Sequence, residues 1–428
     1  MTVPNIPDVQ EAYKSGTRIV VGSVGNLTAD QELALKELWI KTLSHIESTA
    51  AVPIKVTNDQ VHADSLIAAG ISADQPEAVA KWYADNKSKV EDIKYQTVGD
   101  KLYLDGKHHP IIPGSFKPLF GDDPSSRLFR STFWKACTLY SSPDSYLLSF
   151  LRATSWNVNA AFDKVVHSVK WRASQAIDKL MWDGELAQNK KLMESGLSIK
   201  VGLDRLAFPI IVVRVRLNVA RERGEGTVEK FAAYTLERAA IIARDHGERA
   251  TLLYDFSGFK LDNIDTAFIK TLVTMINESY PQTLNATIMF VNSWLFTGVW
   301  KLVRSWLDPV IAKRTFIAKD IEQLSAFVDR SQIMVDMGGE LKYCYSFSYP
   351  TKEDNAQMFD VEGRQQAENA LKEAVAAFEQ ETSAWVSGSG VNSYNAKSRT
   401  EAAASFSDAA LKLDPYIRAR FTSERLSK

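Results

Sequence analysis

The chain has 428 residues, 45% hydrophobic and 24% charged, with a formal net charge of -1. That is ordinary globular composition, long enough for a sizeable core and for two or three domains, and it offers no overall basic field to hold nucleic acid. The two cysteines, Cys137 and Cys344, form neither a CxxC nor a zinc spacing, which argues against a disulfide framework and suits a reducing compartment.

The opening residues, "MTVPNIPDVQEAYKSG", contain no apolar run of the signal-peptide kind, and no stretch reaches the ~18 apolar residues of a membrane span. A cytoplasmic chain that meets membranes only from the surface is expected, with the sequon at Asn26-Leu27-Thr28 accidental. Residues 1–24, punctuated by Pro and Gly, read as a flexible N-terminus. A helix should start at Thr28, which has capping-box spacing to Gln31 and is followed by apolar Leu33, Leu35, Leu38 and Trp39. Residues 25–180 read as a helical domain split by an insertion at 47–124. The insertion holds a helical piece near 75–90, a hairpin in "YQTVGDKLYLDG" (95–106) and a Pro-rich run. "PDSYLLSFLRATSWNVNAAFDKVVHSVKWR" then reads as helix, turn and helix, with "TSWN" as the turn and Phe162, Val165, Val166, Val169 and Trp171 along the second apolar stripe.

From 203 onward, strands alternate with helices. Strands are expected at 207–217, 250–258, 286–292 and 314–318, with helices at 226–247, 263–279, 295–307 and 320–328. Such alternation implies an α/β domain with a mostly parallel sheet and helical crossovers, here bounded at 195–348. Residues 349–428 read as a C-terminal tail with an Ala/Glu-rich helix near 361–386, a flexible linker at 387–395 and a weak last helix.

Catalytic spacing is scarce. There is no HExxH, P-loop or GxSxG elbow, and Gly224 with Gly226 lacks the third glycine of a dinucleotide loop. His108-His109 has no neighbouring Cys or carboxylate, so solvated histidines are the plainer reading than a metal site. Asp255 at a strand end has no nucleophile or histidine at a telling spacing, which favours a structural role. No enzyme, metal or resident cofactor is expected.

"WLFTGVWKLVRSWLDP" (294–309) carries the strongest functional signal. At 100° per residue, Leu295, Phe296, Val299, Trp300, Leu302, Val303, Trp306 and Leu307 cover one wide arc. Thr297, Gly298, Lys301, Arg304 and Ser305 cover the other. The helix either packs on the sheet as an ordinary crossover or meets lipid, with aromatics at headgroup depth and cations on anionic phosphates. A lid does both.

Here the chain resembles a known family. "LLYDFSGF", "YPQTL", "VNSWLFTGVWKLVRSWLDP", "IAKDIEQLSAFVD" and "MGGE" resemble, in order and spacing, the CRAL-TRIO lipid-binding domain. "LLSFLRATSWNVNAAFDKVVHSVKWR" resembles its N-terminal helical domain, and "VGNLTADQELALKEL" the opening helix of fungal phosphatidylinositol/phosphatidylcholine transfer proteins. The split N-terminal domain is similar to the layout of the Csr-type homologues. The resemblance implies a sheet flooring an apolar cavity that holds one lipid, gated by the amphipathic helix. Phe296, Val299, Trp300, Val303, Trp306 and Leu307 would form the gate and cavity.

It also implies head-group positions, and these depart from the usual pattern. Arg152 keeps the first arginine of the FLRAR motif, but the second is Thr154. The glutamate of YPE is Gln282, the threonine after LDP is Ile311, and the lysine is Arg314, with Lys313 beside it. The phosphatidylcholine positions are Ala250 and Leu252. Arg314 and Lys313 would meet a lipid phosphate, while the lost polar groups suit a less polar ligand such as a sterol, an isoprenoid or an acyl compound. The partners implied are a phospholipid or other hydrophobic ligand and a transient membrane surface, with no nucleic acid. A lipid sensor that presents its ligand to a lipid kinase, with the insertion and the C-terminal helix as docking surfaces, is the alternative. A haem carrier would have Tyr254 but no His on that strand.

Overall fold

A computed structural model describes residues 9–19, 21–49, 53–55, 95–98, 101–104, 107–108, 112–113, 116, 119, 126–219, 227–291, 296–307, 309–388 and 394–426. In chain order the first elements are α1 (Val9–Ser15) and α2 (Ala29–Thr49), then β1 (Pro53–Lys55), β2 (Tyr95–Val98), β3 (Lys101–Leu104), β4 (Lys107–His108) and β5 (Ser126–Leu128). The helices α3 (Phe129–Cys137), α4 (Pro143–Ala153), α5 (Val158–Ser174), α6 (Ile177–Asp183) and α7 (Lys190–Ser195) follow.

The α/β part comprises β6 (Ser198–Leu203), β7 (Pro209–Arg214), α8 (Thr227–Ala243), β8 (Ala250–Asp255), α9 (Thr266–Ser279) and β9 (Leu284–Phe290). It continues through α10 (Phe296–Arg304), α11 (Pro309–Ala312), β10 (Thr315–Ala318) and α12 (Ile321–Ser325). The chain closes with α13 (Val361–Ser387), α14 (Lys397–Ile417) and α15 (Thr422–Arg425).

Local chemistry sets several boundaries. The Thr28 hydroxyl accepts from Gln31 N at 3.3 Å and the Gln31 side chain accepts from Thr28 N at 3.1 Å, so the capping box forms. Ser142 caps α4 and Asn157 caps α5, and between them Ser155 and Trp156 take positive φ of 50° and 66°. Gly338 turns at φ 90°, and a Cβ on Gly339 would lie 2.1 Å from the Ile333 carbonyl, so only glycine fits there. The expected hairpin forms between β2 and β3, with Thr97 opposite Leu102. β1 pairs antiparallel with β5 and so joins the two ends of the insertion. The expected helical piece near 75–90, the Gly224–Gly226 pair and Leu295 lie outside the described residues.

The sheet runs β10-β9-β8-β7-β6, parallel except for the antiparallel β6–β7 pair. All seven residues of β9 are buried, as expected for a strand covered on both faces. Alternate residues divide between two cores. Ile210, Val212, Leu253 and Ile288 meet α1, Phe327 and Met334, while Ile211, Leu252 and Leu284 meet α8 and α9.

Two sequence expectations need correction. The N-terminus is not uniformly flexible: α1 buries Val9, Ala12 and Tyr13 against the sheet, because a distant buried polar network anchors Tyr13. Nor is 349–428 a tail. α13 and α14 pack on each other and on the N-terminal helices, burying Leu371, Phe378, Trp385, Phe406 and Leu413 with Trp39, Trp134 and Phe150. Arg399 grips Asp144 through two 2.7 Å bonds, and Trp39 Nε1 donates to the same carboxylate at 2.7 Å. The apolar faces of α13 and α14 are therefore part of this chain's own core.

Candidate functional site

Parallel strands give the sheet two unlike ends. At the C-terminal end, Val215, Phe256, Phe259, Met289, Val291 and Phe296 form an apolar cluster, with Tyr254, Ile264 and Trp300 against it. α10 is seated on this floor. The Phe296 ring lies 4.6 Å from Phe256, and Trp300 stacks on Phe296 at 6.2 Å with planes 17° apart. Phe296 and Val303 are buried, Trp300, Trp306 and Leu307 half-buried, and Lys301 and Arg304 exposed. The side chain of Val299 lies outside the described set.

The helix therefore packs as the crossover reading expects, with its apolar face on the sheet and Lys301 and Arg304 outward. Asp255, buried at the strand end, accepts from Arg216 Nη1 at 2.6 Å, which is the structural role expected of it. Arg216 also lies 3.5 Å from Asp336.

The N-terminal end is cationic. Ile276, Tyr280, Gln282, Leu284, Thr287, Ile311 and Arg314 enclose a space of about 20 Å³, room for about one water molecule. Gln282, in a left-handed turn at φ 60°, and Arg314, directly before β10, thus come together, with Ile311 beside them. Arg314 is buried and donates Nη1 to the Asn285 carbonyl at 3.3 Å, but its Nε has no hydrogen-bond partner among the described residues. Burial first and Arg152 second push its pKa down to about 10, against a smaller opposing effect of Tyr13. Arg152 extends from α4 and donates Nη1 to the Gly22 carbonyl at 2.8 Å, and its Nε is likewise unpartnered among the described residues. Burial also lowers the Arg152 pKa, against Glu248.

Lys313 does not join them. It is exposed and absent from the Arg314 pocket, because neighbours at the entry to a strand point to opposite sides. Thr154 donates its hydroxyl to the Phe150 carbonyl at 3.0 Å, at the end of its own helix.

Two further residues at this end carry no signal in the sequence. Tyr13 donates to Asp204 at 2.6 Å and accepts from Asn285 Nδ2 at 2.9 Å, which ties the N-terminal segment to this end of the sheet. Arg249, directly before β8, is buried, and its pKa lies well below the ordinary arginine value through burial, then Arg152, then Arg314. A lone charge between Glu248 and a strand start carries no sequence signal of burial.

Among the described residues no helix is long and apolar enough to cross a membrane, and no group of three or more His, Cys, Asp or Glu side chains could hold a metal.

Comparison with known proteins places this geometry. Residues 193–339 match the CRAL/TRIO domain, the span that contains the sheet, both its ends and α10. The CRAL-TRIO domain-containing protein C3H8.02 of Schizosaccharomyces pombe is 26% identical over 95% of this chain and 91% of its own length. Phosphatidylinositol transfer protein CSR1 of Eremothecium gossypii is 29% identical over 65% of this chain and 66% of its own. A solved structure described as the crystal structure of Sfh5 aligns with 52% of this chain and 82% of that one, at 16% identity and a TM-score of 0.40.

Proposed function

We propose that this chain, a CRAL-TRIO protein of the fungal phosphatidylinositol-transfer type, carries one phospholipid and exchanges it at membrane surfaces. Its acyl chains would lie at the apolar end of the sheet beneath α10, and its phosphate at the arginine end beside Gln282 and Arg314. The observation that carries the reading is this polarity within one domain: an aromatic floor under a basic amphipathic helix at one end, and buried guanidinium at the other. The arginines favour a phosphate-bearing ligand over the sterol or isoprenoid that the lost Glu and Thr positions suggest, because a neutral ligand would leave buried charge uncompensated.

The energetics require a lid. Each acyl CH₂ exposed to water costs roughly 0.8 kcal/mol, so unaided desorption from a bilayer is slow. Ring contacts of Phe296 and Trp300 seat α10, and contact of Lys301, Arg304, Trp300 and Trp306 with an anionic surface would draw it off its floor. No cofactor other than the lipid is invoked, and residence is cytoplasmic with peripheral membrane contact.

The test is transfer of labelled phosphatidylinositol between pure liposomes with no partner protein. The wild type is expected to accelerate it. Trp300→Ala with Trp306→Ala is expected to slow exchange about tenfold while changing stability by less than about 1 kcal/mol. Equal exchange rates in a folded double variant would remove the lid. Tight lipid binding without transfer would favour the sensor reading.

A further inference from the structure

We propose that Arg152, Arg249 and Arg314 form an anion site that selects a phosphate monoester, with Arg249 as the residue that sets the selectivity. The inference rests on the lipid-binding reading and deepens it, by naming the charge state of the head group.

The geometry comes first. Arg249 leads directly into β8 and Arg314 into β10, the two strands that flank β9, while Arg152 on α4 acts electrostatically on both. The three guanidiniums lie within electrostatic range of one another. Arg249 and Arg314 are only 5% and 6% exposed. The Arg249 side chain makes no hydrogen bond or ion pair with any described residue, and the Nε atoms of Arg152 and Arg314 are also unpartnered among them.

Other buried arginines in this chain are matched. Arg172 meets Glu237 at 2.5 Å, Arg399 meets Asp144 at 2.7 Å and Arg425 meets Glu185 at 2.9 Å. Arg238 and Arg244 lack a carboxylate but donate to the carbonyl and hydroxyl of Ser198 and Ser407. Arg249 has neither solution.

Charge then narrows the ligand. Glu248 is the one carboxylate that acts on both Arg152 and Arg249, and it already accepts from the backbone and hydroxyl of Ser141. Glu248 also acts on Arg244, so the three guanidiniums share at most one negative charge and the site is left with an excess of positive charge. A phosphodiester supplies about one negative charge, whereas a phosphate monoester supplies about 1.5 to 2 at neutral pH. Buried guanidiniums also bind phosphate through charge-assisted forked hydrogen bonds that an ammonium cannot copy. The same terminal, nearly dianionic phosphate group could sit on a lipid as a monoester, as in phosphatidate or a phosphorylated inositol lipid, or be free inorganic phosphate.

Full-length protein incubated with liposomes of equal parts phosphatidylcholine, phosphatidylinositol, phosphatidate and phosphatidylinositol monophosphate, then analysed by native mass spectrometry, separates these. Wild type is expected to enrich the monoester lipids over phosphatidylinositol about tenfold, a preference that Arg249→Gln abolishes and Arg249→Lys keeps in part. In parallel, inorganic phosphate is compared with chloride at equal ionic strength for its effect on Tm. A phosphate-specific rise in wild type that is lost in Arg249→Gln, with lipid capture the same in both, would place the site's ligand in solution. Arg249→Gln removes a buried unpaired charge, so its own Tm should not fall, which keeps both arms readable.

Capture of no lipid by the wild type would sink the lipid-carrier reading while the phosphate arm still decides the anion site. An unchanged lipid ratio and an unchanged phosphate response in Arg249→Gln would overturn the inference.

Discussion

The two ends of the central sheet are built from opposite materials. At the C-terminal end, Phe296 and Trp300 lie on Phe256 and its neighbours, with the cations of α10 left in solvent. At the N-terminal end, Tyr13, Asp204, Thr251 and Asn285 form a buried hydrogen-bonded cluster, at the same end as Arg152 and Arg314, whose Nε atoms have no partner among the described residues. Ring packing is non-directional and can be traded for another apolar surface, such as lipid. A buried polar cluster has no such substitute, since each broken bond leaves a group unsatisfied. In the proposed lipid carrier, motion would therefore belong to α10 and fixed recognition to the arginine end.

The largest effect expected from breaking that contrast is at Asp204. Its Oδ2 accepts from Tyr13 and Thr251 at 2.6 Å each, and its Oδ1 from the amides of Leu206 and Phe208 at 2.9 Å each. Asp204→Ala should cost about 3–5 kcal/mol in denaturant unfolding, and a loss below about 1 kcal/mol would mean the polar end is not fixed. Phe256→Ala should cost about 3 kcal/mol. A double-mutant cycle of Phe256→Ala with Phe296→Ala should show about 1 kcal/mol of coupling, and zero coupling would place α10 off its floor in solution.

Tyr13→Phe keeps the ring contacts but deletes the hydroxyl, and about 1 kcal/mol is expected. Arg314→Met should change stability least, by about 0–1 kcal/mol and in the stabilising direction, because a buried guanidinium that lacks a carboxylate is replaced by an apolar chain of similar length. Phospholipid capture by the same variant should fall about tenfold. A large destabilisation without loss of capture would make Arg314 a structural residue.

What the sequence revealed follows from range. The Thr28–Gln31 capping box, the 95–104 hairpin, the strands of the parallel sheet and the helix after Asp360 are set by neighbouring residues, and the structure has them. β6 is not legible in the sequence, because "SIKVGL" is stabilised by its antiparallel pairing with β7 rather than by its own pattern. α1 has seven residues and owes its order to the long-range bonds of Tyr13. α14 reads as weak because three of its seven buried residues are alanine; Phe406 and Leu413 count only once α13 offers them a matching surface.

At the site, the amphipathic arc of α10 was legible from spacing alone. The Gln282–Arg314 pairing came through family resemblance, and the exposure of Lys313 and the burial of Arg249 needed the register of the sheet.

The most direct measurement is organic extraction of the natively purified protein, followed by mass spectrometry of whatever it carries. A carrier with an apolar end and a cationic end should yield phospholipid in close to equimolar amount. Recovery of a sterol or neutral isoprenoid alone, or of no lipid, would contradict a phosphate at Arg314 and with it the assignment of the arginine end.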